Sequence, residues 1–483
     1  MMLRSLRRYA WRSLLATAAC IAVAGCMVGP NYVRPTSPTP PAFKEGVGWT
    51  MAQPGDGAPR GDWWKTFNDS DLDALVTQVE VSNQDIALAE ARLREARAAT
   101  QAAQAGLFPT VNATGSASRN SARGSSGSGS GGGASNNYNV ALEVSWELDL
   151  WGRVRRGIEA SSATAQASAA DVAAATLSAQ TLLAQDYLQL RVQDAEIALL
   201  RETVANYERS LQLTRNQYTA GIVARGDVAQ AEAQLKSTQA QLLDAGISRA
   251  QLEHAIAVLV GKAPSELGIA AKPLVTTYPS IPVAVPSVLL ERRPDIAAAE
   301  RRVASANAEI GVAEAAFYPT LSLGAVGGFQ NSALGSLLSL GSRYWSLGPA
   351  VIAQLIFDAG LRKAQKEEAV ATWEGTVATY RQTVLTAFQD VEDNLAALAI
   401  LEQEAAVQDE AVRAARESAA IALNQYKAGT ASYIAVVVLQ AAALNSERAA
   451  LGIVVRRLTA SVALIKAMGG GWDAAALAAA ADK

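Results

Sequence analysis

Residues 85–110 read DIALAEARLREARAATQAAQAGLFPT, and residues 295–320 read DIAAAERRVASANAEIGVAEAAFYPT. The two stretches align without a gap and share twelve of 26 positions, among them Asp85/Asp295, Glu90/Glu300, Arg92/Arg302 and Pro109/Pro319. Common alanine explains some of these identities but not their ordered frame. Further along, Gly152 matches Gly360 and QYTAG (217–221) matches QYKAG (425–429), both at an offset of 208. Internal repeats are read before anything else because they decide the architecture. The chain is therefore read as a duplication. Residues 26–69 form an N-terminal extended segment, 70–260 a first repeat, 261–290 a Pro-rich connector, 291–468 a second repeat and 469–483 a tail.

Each repeat has one order of elements: helix, strand hairpin, very long helix, tight turn, helix. The first helix ends at Pro109 or Pro319, because proline lacks the N–H that continues the ladder. Hairpins follow at about 110–150 and 320–358. From 140 to 149, Val140, Leu142, Val144, Trp146 and Leu148 alternate with Ala141, Glu143, Ser145, Glu147 and Asp149. Period 2 puts the two sets on opposite faces of a sheet. In the second hairpin Leu321, Leu323, Ala325 and Phe329 share a face, as do Leu347, Val351, Leu355 and Phe357, with Pro349 expected to make the last strand an edge or to kink it. Residues 116–137, SASRNSARGSSGSGSGGGASNN, read as a long polar loop.

Strands of about ten residues with one apolar face suit a transmembrane barrel. Four strands per chain are too few to close one, since the smallest membrane barrels have about eight, and open edges in lipid leave backbone groups unpaired. Several chains must share a barrel. From Arg155 to Ala220 there is no Pro and only Gly157. About 60 helical residues at 1.5 Å each span roughly 90 Å, which suits a coiled coil or a periplasm-crossing bundle rather than a compact core. Gly221 and Gly429 mark the turns where each long helix reverses.

The N-terminus carries Arg4, Arg7, Arg8 and Arg12 before an apolar stretch from Leu14 to Ala24. That is a secretory leader, too short to span a bilayer. It ends in Val23-Ala24-Gly25-Cys26, which resembles a bacterial lipobox, so cleavage after residue 25 and acylation of Cys26 are expected. Two or more acyl chains anchor stably where one does not. Cleavage removes four arginines and no acid, taking the net charge from −3 to −7. Cys26 is then the only cysteine, so no intrachain disulfide is expected. Met27 rather than Asp follows it, favouring the outer membrane.

These residues resemble the outer membrane factor family, the TolC-like exit ducts of tripartite efflux systems, and within it the NodT-type lipoprotein branch. The likeness rests on CMVGPNY (26–32), WWKTFNDSDLDALV (63–76), SWELDLWGRVRR (145–156), LLERRPDIAAAERR (289–302) and MGGGW (468–472). It implies a fold that mixes an all-α periplasmic helical barrel with a transmembrane β-barrel closed by a homotrimer of 12 strands. It also implies a passive duct for drugs or other small molecules, partnered by a periplasmic adaptor and an inner-membrane pump of RND type. Family hairpin tips, where adaptors are thought to meet, match Gly221, Val223, Gly429 and Ala431. At the family's periplasmic gate, Asp227 and Tyr426 keep polar positions, whereas the acidic positions of relatives fall on Ala435 and Val438. Ile434 and Val438, four apart on one helix face, would narrow the pore by apolar contact instead. In the barrel, Glu143, Glu147 and Asp149 are expected to make a negative lumen unless Arg153 and Arg155 cancel them.

Catalytic chemistry is not expected. His254 is the only histidine, too few for a metal cluster or a Ser-His pair. GSGSGGG (127–133) is low-complexity loop rather than a nucleotide site. No cofactor is expected beyond the covalent lipid, and no nucleic-acid footprint is present. A coiled-coil spacer lipoprotein without a pore, or a duct for protein secretion, are the alternatives.

Overall fold

The computed structural model describes residues 27–37, 39–46, 62–121, 134–274, 278–279, 292–348 and 351–472. Cys26, the leader, the Gly/Ser-rich centre of the first hairpin loop and Pro349 lie outside them. Helices α1 (Ser70–Ser82) and α2 (Gln84–Ala105) lead into strands β1 (Thr110–Ser121) and β2 (Ala134–Leu148). Then come α3 (Arg153–Thr219), α4 (Arg225–Leu259), α5 (Pro294–Ala315), β3 (Thr320–Asn331), β4 (Arg343–Leu347), β5 (Val351–Ala353), α6 (Leu361–Lys427) and α7 (Tyr433–Ala467). The chain divides into two compact units. One holds Met1–Thr36, Leu93–Ala167 and Ala299–Tyr380; the other holds Ser37–Arg92, Ser168–Ala298 and Arg381–Lys483.

The first unit contains the sheet, an antiparallel run β1-β2-β3-β4 with β5 also on β3. Pairing runs from Thr110↔Ser145 to Ser121↔Ala134 and from Tyr138↔Asn331 to Leu148↔Leu321. The strands thus continue well into the stretch that the sequence places in a loop, with Arg119 opposite Asn136. Ladder bonds need backbone only, so polar residues extend a hairpin wherever both faces meet water. The α2 and α5 helices stop at Ala105 and Ala315, four residues short of the prolines. Tighter i→i+3 bonds intervene, Phe108 N to Ala105 O at 3.1 Å and Tyr318 N to Ala315 O at 3.1 Å.

The last strand departs from the expected alternation. Ala325 pairs with Leu347, but Ser322 pairs with Val351. Three steps on β3 are matched by four on its partner, a one-residue bulge between β4 and β5. Leu347 and Val351 therefore do not share a register parity; Ile352, opposite Leu321, takes that place. Leu355 and Phe357 lie beyond the paired residues, in the segment before α6.

The N-terminal segment is fastened to this unit. Val28 N donates to Trp151 O at 3.0 Å. Arg156, with 1% of its surface exposed, donates from Nε to Val28 O at 3.1 Å and from Nη2 to Gly29 O and Asn31 Oδ1 at 3.1 and 2.9 Å. Its Nη1 pairs with Glu159 at 2.7 Å. Gly29 has φ +88°, and its α-carbon faces Gly311 so closely that a Cβ would stand 2.5 Å from the Gly311 Cα.

The second unit is helical. Its main core joins Trp63, Trp64, Leu72 and Val76 to Leu183, Tyr187 and Leu190 of α3, Ile256 of α4 and Leu458 and Val462 of α7. Asp69 caps α1 by accepting from Asp71 N and Leu72 N, and its other oxygen accepts from Tyr187 Oη at 2.8 Å. Beside this core, Asp194 is buried between Arg191 and Arg249, at 3.1 and 2.7 Å. Arg249 also donates to Ile269 O at 2.6 Å and Arg191 to Ala270 O at 2.7 Å, pinning the connector.

Candidate functional site

Residues directly opposite in an antiparallel pair share a face, so the register sorts the sheet. One face carries Val111, Val140, Leu142, Val144, Trp146, Leu321, Leu323, Phe329, Trp345 and Leu347. The other carries Asn112, Thr114, Glu143, Ser145, Glu147, Ser322, Gln330 and Ser346. From Leu148 to Val140 the apolar face runs eight residues, about 27 Å along the strand at 3.4 Å each, or roughly 21 Å of height at a 40° tilt. This is a lipid-facing wall with a wet reverse.

The three acids assigned to the wet face do not act alike. Glu147 is bidentate to Arg153, Nη2–Oε2 2.8 Å. Asp149 lies past the strand and caps α3, accepting from Val154 N and Arg155 N at 3.0 Å each while Arg155 Nε donates at 3.1 Å. Glu143 is exposed, accepts from Thr114 Oγ1 at 3.2 Å and makes no ion pair among the described residues. The expected ring of three acids per chain is thus corrected to one uncompensated carboxylate. Residues six positions away across the strand–helix turn neutralise the other two.

The hairpin turns are built alike. Gly221 and Gly429 have φ +75° and +74°. Ile222 N reaches Gln217 O and Thr430 N reaches Gln425 O, both at 2.9 Å, the six-to-one closure that a left-handed glycine permits. Val223 packs partly onto the core beneath, which contains Tyr207, Leu211, Val228, Tyr426, Tyr433 and Val436. Ala431 is half-buried. Ile222, which the sequence reading passed over, is the side chain offered outward, 70% exposed. Its signal was position: it follows the turn glycine directly.

Of the four residues assigned to the gate, two stand together on a free face. Ile434 and Val438 are 51% and 58% exposed, while Val436 and Val437 between them, and Tyr433 just before, are buried. Neither packs into the chain's own core. Tyr426 is not beside them. It is buried edge-on against Tyr433, ring centroids 5.1 Å apart, with its hydroxyl 3.4 Å from Thr214 Oγ1. Burial raises the Tyr426 phenol, the nearby Asp227 charge adding to the effect, and pushes Tyr433 up to about 12. Tyr426 is thus corrected from a pore-lining position to a core one, since an aromatic ring one turn before the glycine fills the space between helices. Asp227 sits half-buried in the first turn of α4, where the helix dipole favours it.

Among the described residues no cluster of His, Cys, Asp and Glu could hold a metal ion, and no helix is long and apolar enough to cross a membrane. The family model for outer membrane efflux proteins matches residues 75–262 and 285–470. The toluene efflux pump outer membrane protein TtgC of Pseudomonas putida is 32% identical over 468 residues, covering 95% of this chain and 96% of that one. The probable outer membrane lipoprotein SilC of Salmonella typhimurium is 28% identical, covering 95% and 98%. Among solved structures, the outer-membrane channel OprN superposes with a TM-score of 0.85 at 31% identity, covering 92% of this chain and all of that one. The Campylobacter jejuni outer membrane channel CmeC gives 0.86 at 25%, covering 93% and 96%. The wall of the sheet, the long helical hairpins and these matches agree: the chain is a channel of the outer membrane rather than an enzyme, and it belongs to the outer membrane efflux protein family.

Proposed function

We propose that this chain is the passive exit duct of a multi-component efflux pump, with three copies sharing one barrel and small molecules as cargo. One observation carries the shared barrel. The sheet has a lipid-facing and a wet face, yet β1 and β4 end it with unpaired edges, which lipid does not tolerate. Small-molecule cargo draws support from relatives named for toluene, for antibiotics and for pyoverdine export. A periplasmic adaptor meets the turns at Gly221 and Gly429, with Ile222 as the contact beside Val223 and Ala431. An inner-membrane pump, of the proton-driven RND type, lies behind the adaptor. Cys26 holds the chain to the outer membrane through its lipid. Ile434 and Val438, with Asp227 near the same turns, close the inner end.

The duct itself is tested in planar bilayers, where the purified protein conducts and a spacer lipoprotein would not. Docking is tested by Ile222→Asp, which leaves protein level and barrel behaviour on gels intact while abolishing export and adaptor cross-linking. Normal cross-linking and normal export in that variant would overturn the docking reading without touching the duct.

A further inference from the structure

The lipid face of the sheet is almost free of charge, and the exceptions are placed alike. Following the register, its only charged side chains among the described residues are Arg119, opposite Asn136 near the outer end of β1, and Arg343, opposite Phe329. Both are cations. The sheet carboxylates Glu143 and Glu147 lie on the reverse face. Arg343 stands in the row of Val140 and Phe329, the outermost row of the apolar band, with Trp345 one row deeper. Aromatic residues mark the interface in membrane barrels, so this row lies where acyl chains give way to headgroups.

The loop from β3 to β4 holds Arg343 without neutralising it. Residues 330–342 carry no charge. Asn331 Nδ2 donates to Ser342 Oγ at 2.6 Å, Ser342 Oγ donates to Ser336 O at 2.9 Å, and Ala333 N donates to Asn331 Oδ1 at 3.0 Å. This internal network ties up the Asn331 and Ser342 side chains. Arg343 Nε donates to Leu340 O at 3.3 Å, while the side chain is exposed and forms no ion pair among the described residues. The Nε is thus engaged, while the two terminal nitrogens of this exposed side chain make no hydrogen bond or ion pair among the described residues.

We propose that Arg343 is a binding position for the phosphate of an outer-leaflet glycolipid, with the phosphate bridged by the free guanidinium edge and the lipid's chains lying along Trp345 and Leu347. A fixed planar fork pairs with phosphate bidentately, and an anion is the partner that a cation needs on a surface otherwise built for hydrocarbon. The occupant is a lipid rather than free phosphate because the site is continuous with the lipid-facing wall. The inference uses the barrel face alone and stands apart from the gate and docking readings.

The test is native mass spectrometry of the full-length protein in non-ionic detergent. It is titrated with bis-phosphorylated lipid A, with the same glycolipid after phosphatase treatment, and with phosphatidylethanolamine. The wild type retains the phosphorylated form preferentially. Arg343→Gln weakens that retention about tenfold, and Arg343→Lys recovers part of it because it keeps the charge and loses the fork. Glu143→Gln, on the opposite face, leaves retention unchanged. Heat-modifiable gel mobility verifies that each variant is folded. Equal retention by Arg343→Gln, no preference for the phosphorylated form, or displacement of the lipid by inorganic phosphate would each overturn the proposal.

Discussion

Replacing Gly29 by alanine should release the segment that follows Cys26. Two costs add. At φ +88° an L-side chain is strained, by about 1–3 kcal/mol. The new Cβ would also stand 2.5 Å from the Gly311 Cα and 3.1 Å from its N, both backbone atoms that cannot rotate away. Overpacking of that kind costs a further ~1–3 kcal/mol. The sum, about 4 kcal/mol, is close to a thousandfold at 1.4 kcal/mol per factor of ten. The chain meets it by opening the contact, which breaks the Arg156 bonds to Val28 O, Gly29 O and Asn31 Oδ1. Hydrogen-exchange mass spectrometry of the intact protein reads this directly. Protection of the Val28 amide, which donates to Trp151 O, falls by about three decades while the α3–α4 hairpin stays protected. Gly115→Ala is the control, because nothing lies within 4 Å of its Cβ. If Gly29→Ala leaves Val28 as protected as the control does, the two-glycine contact does not hold the segment.

The remaining expectations are simpler. Glu143→Gln should abolish a modest cation preference, measured as reversal potential across a salt gradient; an anion-selective wild type, or no change on substitution, would defeat the account of the wet face. Val438→Asp should raise conductance or sensitivity to large antibiotics at little cost in stability, since Val438 is exposed; a silent variant in a channel that opens sharply with salt would place an ionic latch elsewhere. Burial pushes Asp186 up to about 6 from 3.8. The folded chain then holds its proton to higher pH than the unfolded one, so the cost of burying the charge is absent below about pH 4 and complete above about pH 6. Asp186→Asn should therefore stabilise the protein at pH 7.5, by on the order of 1 kcal/mol after discounting for partial exposure, and not at pH 4; equal melting shifts at both pH values would contradict this.

The face pattern of β2 was legible because Val140 to Asp149 alternate without a break, and alternation is geometry. The turns at Gly221 and Gly429 were legible because only a left-handed residue closes a helix that way. The bulge was not. A one-residue slip between Leu347 and Val351 leaves no trace in composition or in alternation. Nor was the pairing of Glu147 with Arg153 settled, because carboxylate and guanidinium lie on either side of a turn whose path the sequence does not specify. Arg156 was the least legible. In the run RVRR it looks like one cation among several, and it becomes a clamp only where three acceptors from residues 28–31 arrive around it. Tyr426 was assigned to the gate by resemblance to relatives, and its packing against Tyr433 depends on a helix that comes after the turn in the chain.

The counterpart helices from α2 onward, and the first strands of the two hairpins, have equal lengths. The α2 and α5 helices have 22 residues each, α3 and α6 67 each, α4 and α7 35 each, and β1 and β3 12 each. Near the turns, Tyr207 and Leu211 of α3 share a core with Ala422 and Tyr426 of α6. One residue inserted into α3 alone would advance its side chains by about 1.5 Å and 100° against α6, turning the buried stripe outward. Seven would nearly restore the angle but leave one turn about 10 Å beyond the other. Deletions and insertions in the long helices are therefore tolerated only as matched pairs, one in each half of the gene.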